Sequence, residues 1–303
     1  MENKVYGGER MVEIKRLTDC TFNEALTAWN TGFEEYFVNL TMDIETFLRR
    51  FPAEDLSPSM SVVAFVDGEP AGLIVNGIRT IKGVKTAWNG GTAVAVKFRK
   101  KGVGRALMQA TLDLYKQEGV QLAMLEAIKG NDKAITLYES LGYETVDELE
   151  FLELKGKLAE SPFPDRKGFS VKKAYPAQVG NLSFYKGGNP WQTHWQSAKD
   201  AEAIIMSDEN GKDVGYAYFK KAFNGEGVHI STTLCQCEAD ESREDAKEIL
   251  QALLMQVFGS FEEDIRRVVL NLPKERSRLT HETLKDIGFT PFAYQVMMNR
   301  EME

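Results

Sequence analysis

Two glycines and four cations fall within seven residues in Arg99-Lys100-Lys101-Gly102-Val103-Gly104-Arg105. With no side chain at Gly102 or Gly104, consecutive backbone N–H groups at a helix start can point at an anion. Arg99, Lys100, Lys101 and Arg105 add positive charge and charge-assisted hydrogen-bond donors around the same place. The chemistry predicted is retention of a pyrophosphate, and with it a nucleotide-like cofactor. The competing reading is an exposed, basic helix start. A second candidate is Glu126, the one carboxylate in the otherwise apolar run Leu122–Ile128. Partial burial there raises a carboxyl pKa toward that of a useful general base, unless the group is tied into a structural hydrogen bond.

Strand, tight loop and helix must position these groups. Val94-Ala95-Val96 reads as the end of a strand, and Leu107, Ala110, Thr111 and Leu114 share one face of the helix that follows the loop. Gly119 closes that helix. Residues 121–128 (QLAMLEAI) then read as a buried strand, and residues 131–143 as a capped helix with Asn131 at the N-cap and Gly142 at C′. Upstream, Trp88-Asn89-Gly90-Gly91-Thr92 sets two glycines inside a long strand over 84–96, a signal for a bulge or for close approach of another backbone or ligand.

In order and separation, Arg99-x-x-Gly102-x-Gly104 and Asn131-x-x-Ala134-x-x-x-Tyr138-Glu139-x-x-Gly142-Tyr143 resemble the GNAT superfamily of N-acetyltransferases. The first motif is similar to that family's coenzyme A pyrophosphate loop, the second to its downstream strand and helix. The resemblance covers residues 12–155 well and the remainder weakly. It implies an α/β (α+β) fold, a mixed and mostly antiparallel central sheet flanked by helices, with acetyl-coenzyme A as cofactor. It further implies that the glycine-containing strand splays from its neighbour to admit the pantetheine arm. Backbone groups around Thr92, Ala93 and Val94 would bind that arm and polarise the thioester carbonyl, and Asn131 would contact it. Arg99, Lys100, Lys101, Gly102, Val103, Gly104 and Arg105 would hold the pyrophosphate.

Acetyl transfer from a thioester to an amine needs a deprotonated amine, a polarised carbonyl and a proton for the departing thiolate. By the resemblance, Tyr138 places its hydroxyl near the thioester sulfur as the acid, and Glu126 occupies the motif's glutamate position, five before the asparagine. Direct transfer in a ternary complex requires no cysteine nucleophile.

The charge balance, 37 basic against 45 acidic residues for a net −8, disfavours a general nucleic-acid binder and suits either a cationic acceptor or simple solubility. Cys20, Cys235 and Cys237 cannot form an even disulfide set and no charged-then-apolar leader precedes Val12, which together predict a reducing cytoplasm. Cys235 and Cys237 read as buried structural thiols, since His194, His229 and His281 are too scattered to complete a metal site. No apolar run approaches the length of a membrane span.

Along the chain, residues 1–10 read as a loose leader and Val12 to Arg16 as an edge strand. Thr21 with Glu24 makes a capping box for a helix striped by Phe22, Leu26, Trp29 and Phe33. Tyr36, Phe37, Leu40, Phe47, Leu48 and Phe51 form an aromatic second helix and connection, the region that borders the acceptor in the family and is otherwise plain core. A hairpin turns at Asp67-Gly68, a second at Lys82-Gly83, and a further strand covers 148–154.

With 303 residues, two domains are expected: 12–155, a linker 156–168 rich in Gly, Pro and charge, and 169–303. The second half reads as a worn copy of the first. Residues 208–216 echo 66–73, and residues 281–289 echo the Tyr138 helix; Gly72 to Gly142 is 70 residues and Gly215 to Gly288 is 73. Acidic residues 240–245 stand where the first copy has its glycine loop, which repels a pyrophosphate, and Leu284 stands for the tyrosine. The copy is therefore expected to keep the architecture without coenzyme A binding and to shape the acceptor site, with Trp191, His194 and Trp195 either lining it or packed. The overall expectation is an acetyl-coenzyme A-dependent N-acetyltransferase acting on a small-molecule or peptide amine. The alternatives are a non-catalytic acyl-coenzyme A binding or sensing protein, and a protein-interaction module.

Overall fold

The computed structural model describes residues 3–7 and 10–302, with side chains from Val12 onward. The chain packs as two compact units. The first comprises Met1–Glu126, Asn131–Glu144 and Met298–Glu303; the second comprises Ala127–Gly130 and Thr145–Met297.

In the first unit the chain runs β1 (Asn3–Gly7), β2 (Arg10–Arg16), α1 (Phe22–Gly32), α2 (Ile44–Glu54), β3 (Val62–Val66), β4 (Glu69–Ile81), β5 (Val84–Val94), α3 (Val103–Gln117), most of β6 (Leu122–Ile128) and α4 (Asp132–Glu139). The loose leader expected over residues 1–10 is corrected in part: Asn3–Gly7 pairs antiparallel with β2, while Met1, Glu2, Gly8 and Glu9 lie outside the described residues. A backbone ladder needs no apolar side-chain pattern, so periodicity could not show it. The sheet order is β1-β2-β3-β4-β5-β6. Every pair is antiparallel except β5 with β6, which is parallel from Thr86↔Leu122 to Asn89↔Leu125. Both hairpins turn as the sequence predicts, with positive φ at Asp67 and Gly68 and again at Lys82 and Gly83.

The Thr21–Glu24 capping box forms and starts α1. That helix packs on β4 and β5, so closely that a Cβ on Gly32 would lie 2.5 Å from the Ala93 Cβ. Phe47 and Phe51 of α2 are buried beside Trp29 and each other, whereas Phe37 and Leu48 are exposed. Helix α3 buries Leu107, Met108, Thr111, Leu112, Leu114 and Tyr115 against the sheet. Tyr115 donates to Asn76 Oδ1 at 2.6 Å, giving that buried amide a partner.

The second unit contains β7 (Glu144–Gly156), β8 (Phe169–Ala174), α5 (Pro176–Val179), β9 (Glu202–Asp208), β10 (Asp213–Phe223), β11 (His229–Ala239), α6 (Ala246–Phe258), β12 (Ile265–Pro273), α7 (Arg278–Asp286) and most of β13 (Thr290–Glu301). Its sheet order is β13-β7-β12-β11-β10-β9-β8. Strand β11 runs parallel to β12, and β8, β9 and β10 run antiparallel to their neighbours. The repeat read from the sequence is present in the register. Gly72 pairs with Val94 and Gly215 with Ala239, and the parallel ladders end at Asn89↔Leu125 and Leu234↔Val269, five residues before each of those positions.

Strand β7 extends the expected strand over 148–154 at both ends, and it pairs with β12 from Ile265↔Gly156 to Pro273↔Leu149. The chain-order division at 155 and the packing therefore differ: residues 145–155 pack with the second unit, and Met298–Glu303 pack with the first, where the Met302 N–H donates to Gln121 O at 2.9 Å. Between β7 and β8 the chain has no helix or strand, yet Phe163 is buried in the second unit's core. Cys235 and Cys237 are buried, as expected. Among the described residues no helix is long and apolar enough to cross a membrane, and no group of three His, Cys, Asp or Glu residues is placed to hold a metal ion.

Candidate active site

The chemistry-bearing residues of the first unit gather where β5 leaves β6. Beyond Asn89↔Leu125 the parallel pairing stops, though β5 continues to Val94 and β6 to Ile128. On its other side β5 bulges against β4, with Ile74↔Thr92 followed by Asn76↔Asn89. Gly90 and Gly91 supply the bulge, and both close approaches are to the protein itself. A Cβ on Gly90 would meet the Trp88 ring at 2.5 Å, and one on Gly91, where φ is +153°, would meet the Trp29 ring at 2.7 Å. Arg50 on α2 completes this corner, its guanidinium 4.6 Å above the Trp29 ring and donating to Gly90 O at 2.9 Å. An unladdered strand edge presents N–H and C=O groups to whatever enters beside it.

Past Val94, the chain makes a 3-10 turn over Val96–Phe98 and reaches the glycine loop. Lys100 and Gly102 hold φ of +62° and +82°, and Gly102 is the N-cap of α3. The first helical bond there is Ala106 N–H to Gly102 O, so the amides of Val103, Gly104 and Arg105 precede the ladder. Gly104 lacks any steric need to be glycine: a Cβ would make ordinary contacts, 3.5 Å to Leu137 and 3.6 Å to Val94. Buried Val103 anchors the helix start. This loop, with its open first-turn amides and a small cradle at Gly104, fits a pyrophosphate.

The cations divide their work. Arg99 donates from Nε to Val94 O at 3.1 Å and from Nη2 to Gly32 O and Glu34 O, each at 3.0 Å, stitching the loop to the end of α1. Lys101 donates to Lys97 O at 2.7 Å and Arg105 to Ser140 Oγ at 2.9 Å, while Lys100 is exposed. Three of the four predicted phosphate cations thus also hold backbone or a neighbouring helix in place.

Tyr138, on α4, is buried, and burial pushes its hydroxyl pKa up to about 12, against a hydrogen bond with the Thr92 side chain that lowers it. Thr92 Oγ1 in turn accepts from Asn89 Nδ2 at 2.8 Å. Asn89 thus ties the last laddered residue of β5 to the far side of the bulge, beside the Tyr138 hydroxyl. Asn131 caps α4, its Oδ1 accepting from Ala134 N–H at 3.4 Å, while its Nδ2 donates to the Tyr36 hydroxyl at 3.3 Å. Gly142 has the predicted positive φ, +84°. Glu126 is half-buried, the first residue of β6 past the ladder, and its Oε2 accepts from Trp88 Nε1 at 2.6 Å, the structural hydrogen bond that the sequence left open as the alternative to a general base. The backbones of Thr92, Ala93 and Val94 lie on the splayed part of β5, with the Val94 carbonyl already accepting from Arg99.

Arg50 was not singled out from the sequence, and Trp88, Asn89 and Tyr36 were named only within the glycine-containing strand and the aromatic connection, with no bonding role. Trp88 and Asn89 flank the glycine pair inside a strand, and a buried amide at such a place is the signal that points to a bonding role.

In the second unit the corresponding parting of β11 from β12 is filled by the chain itself. Trp191–Thr193 forms a 3-10 turn packed against both strands, Trp191 and His194 are fully buried, and Thr193 O accepts from Tyr218 Oη at 2.5 Å and Gln236 Nε2 at 3.0 Å. Glu238, one register position before Ala239, accepts from Ser277 Oγ at 2.5 Å and Thr280 Oγ1 at 3.3 Å, and burial pushes its pKa up to about 7. Arg243 of the acidic loop pairs with Asp245 beside it and with Asp208 at the end of β9.

Residues 22–143 match the family model for the acetyltransferase (GNAT) family. Among curated proteins, the chain is similar to N-alpha-acetyltransferase 30 of Dictyostelium discoideum, 28% identical over 92 residues. That stretch is 30% of this chain and 50% of the relative, so the match spans half of the relative's length. Among solved structures, the chain resembles a GCN5-related N-acetyltransferase from Sphaerobacter thermophilus, with a TM-score of 0.63 and 16% identity over 97% of this chain and 96% of that one. It also resembles a tandem GNAT protein from the clavulanic acid biosynthesis pathway, with a TM-score of 0.60 and 14% identity over 96% of this chain and 99% of that one. At these identities the likeness is one of fold.

Proposed function

We propose that residues 22–143, which match the acetyltransferase (GNAT) family model, form an acetyltransferase domain, and that the chain transfers an acetyl group from acetyl-coenzyme A to a primary amine by direct attack. The observation that carries this reading is the alignment of three features in one unit: β5 parted from β6, the Gly102–Gly104 helix start, and buried Tyr138 with its hydroxyl beside Thr92 of the parted strand.

Acetyl-coenzyme A, when bound, supplies the activated acetyl thioester. The amides of Val103, Gly104 and Arg105 with Lys100 and Lys101 hold its pyrophosphate, and Arg99 fixes the loop. The Thr92–Val94 backbone and Asn131 receive the pantetheine arm, and the strand amides polarise the carbonyl. Glu126, oriented by Trp88, accepts the amine's proton directly or through water. The amine nitrogen bonds to the acetyl carbon as the carbon–sulfur bond breaks, and Tyr138 gives its proton to the sulfur. Burial keeps that hydroxyl protonated at neutral pH.

The catalytic repeat is residues 12–155, with linker 156–168 and the non-binding repeat 169–303. The relative's N-alpha-acetyltransferase name puts peptide N-termini beside small amines among acceptors. Calorimetric titration with acetyl-coenzyme A, beside the G102D/G104D variant, is the test. One-to-one binding lost in the variant, with thiol release on adding an amine, is the expected result; absence of binding by the intact chain ends the transferase reading. Binding without thiol release from small amines or N-terminal peptides favours an acyl-coenzyme A sensor instead.

A further inference from the structure

Helix α4 is two turns long, and a helix so short has little stability of its own. Asn131 secures its first turn. Its other end is held by Arg300, 159 residues away in sequence but part of the same compact unit. Arg300 Nη1 donates to Leu141 O, the carbonyl just past α4. The guanidinium lies along Gly142: a Cβ there would sit 3.6 Å from Nε and 3.7 Å from Cζ. The next residue, Tyr143, is buried with its ring 6.1 Å from that of Tyr138, and the Arg300 charge acts on its hydroxyl. A cation at a helix C-terminus satisfies a terminal carbonyl and complements the macrodipole. The short segment bearing Arg300 is itself fixed through Met302 N–H to Gln121 O at 2.9 Å.

We propose that Arg300 is a positioning residue for catalysis: by clamping the Leu141–Gly142 end of α4 it sets where the Tyr138 hydroxyl stands relative to Thr92. This rests on the reading of Tyr138 as the proton donor. A residue that sets the placement of a reacting group acts on turnover rather than on cofactor affinity, which belongs to the loop before α3.

The test compares R300A, R300K, Y138F and R300A/Y138F by steady-state kinetics, acetyl-coenzyme A calorimetry and thermal melting. Expected for R300A is a kcat lower by about tenfold, an acetyl-coenzyme A Kd unchanged within about twofold, and partial recovery of kcat in R300K. In the Y138F background, loss of Arg300 adds nothing, because the group it positions is gone. An unchanged kcat in R300A overturns the proposal. So does an equal further loss in the double variant, or a Kd that weakens in step with kcat, which marks a general structural role. A fully active Y138F overturns the reading beneath it, separately from anything R300A shows. If R300A does not fold, R300Q, which keeps a donor on a shorter, uncharged side chain, is judged by the same outcomes.

Discussion

The Tyr138 hydroxyl stands beside Thr92, whose own hydroxyl oxygen accepts from Asn89. Removing only the oxygen keeps the packing, so Y138F is expected to lower kcat by about 100-fold, the lower range for a positioned general acid, while calorimetry shows acetyl-coenzyme A affinity within about twofold of the parent. The pKa of about 12 also has a sign. Because the folded value lies above the ordinary one near 10, the protonated form favours folding; that contribution is complete below pH 10 and is lost as pH rises through 12. Loss of the Tyr138 proton therefore does not limit turnover at pH 7 to 9, and an alkaline fall in kcat in that range belongs to another group. Glu238 in the second unit follows the same sign over a lower window. Its stabilising contribution is present below about pH 4.5 and is lost as pH rises through about 7, chiefly because burial penalises the charge. E238Q is therefore expected to flatten the pH dependence of the thermal midpoint between 4.5 and 8 and to raise that midpoint at pH 8. A midpoint that still falls over that window in E238Q refutes this account.

At the scale of elements, the glycines of the site separate into those the fold requires and one it does not. Gly91 sits at φ +153° with the Trp29 ring 2.7 Å from any added Cβ, so G91A must move Trp29 and with it Arg50. Gly104 lies in helical geometry with room for a methyl group. G104A is thus expected to melt at or above the parent temperature, as glycine in a helix costs about 1 kcal/mol relative to alanine, yet to bind acetyl-coenzyme A about tenfold more weakly because the methyl stands where the phosphate approaches. G91A should show the reverse order, a lower melting temperature as its first effect. If G104A binds the cofactor as the parent does, the amides of that first turn are not the phosphate cradle.

For the whole chain, the duplicated architecture predicts a single cofactor site. The second unit repeats the strand parting after Leu234↔Val269, but Trp191–Thr193, bonded through Thr193 to Tyr218 and Gln236, occupies it, and Asp240, Glu241, Glu244 and Asp245 surround the start of α6. A cleft filled by buried tryptophan and histidine has no place for a pantetheine arm. Titration is expected to saturate at one acetyl-coenzyme A per chain, and cutting the charge of the second loop with D240N/E241Q should not create a second site. Two equivalents bound by the intact chain would refute it.

The sequence by itself determined most short-range features of the candidate site. The loop Arg99–Arg105, the Asn131 cap, the Gly142 terminus, the turns at Asp67-Gly68 and Lys82-Gly83 and the bulge at Gly90-Gly91 all depend on local φ, caps and spacing, which a few adjacent residues fix. The repeat was legible in its matched spacings, Gly72 to Gly142 and Gly215 to Gly288, but its strand register was not. Tertiary structure alone decided which distant groups meet. Trp88 finds Glu126, Arg99 finds Gly32 and Glu34, Tyr36 finds Asn131, and β7 pairs with β12 although it follows α4 in the chain. An apolar alternation states that a strand buries a face, not which strand it lies beside, and a cation states its charge, not the carbonyl that will accept from it. Those choices depend on closing loops of tens to hundreds of residues, and only the packed core settles them.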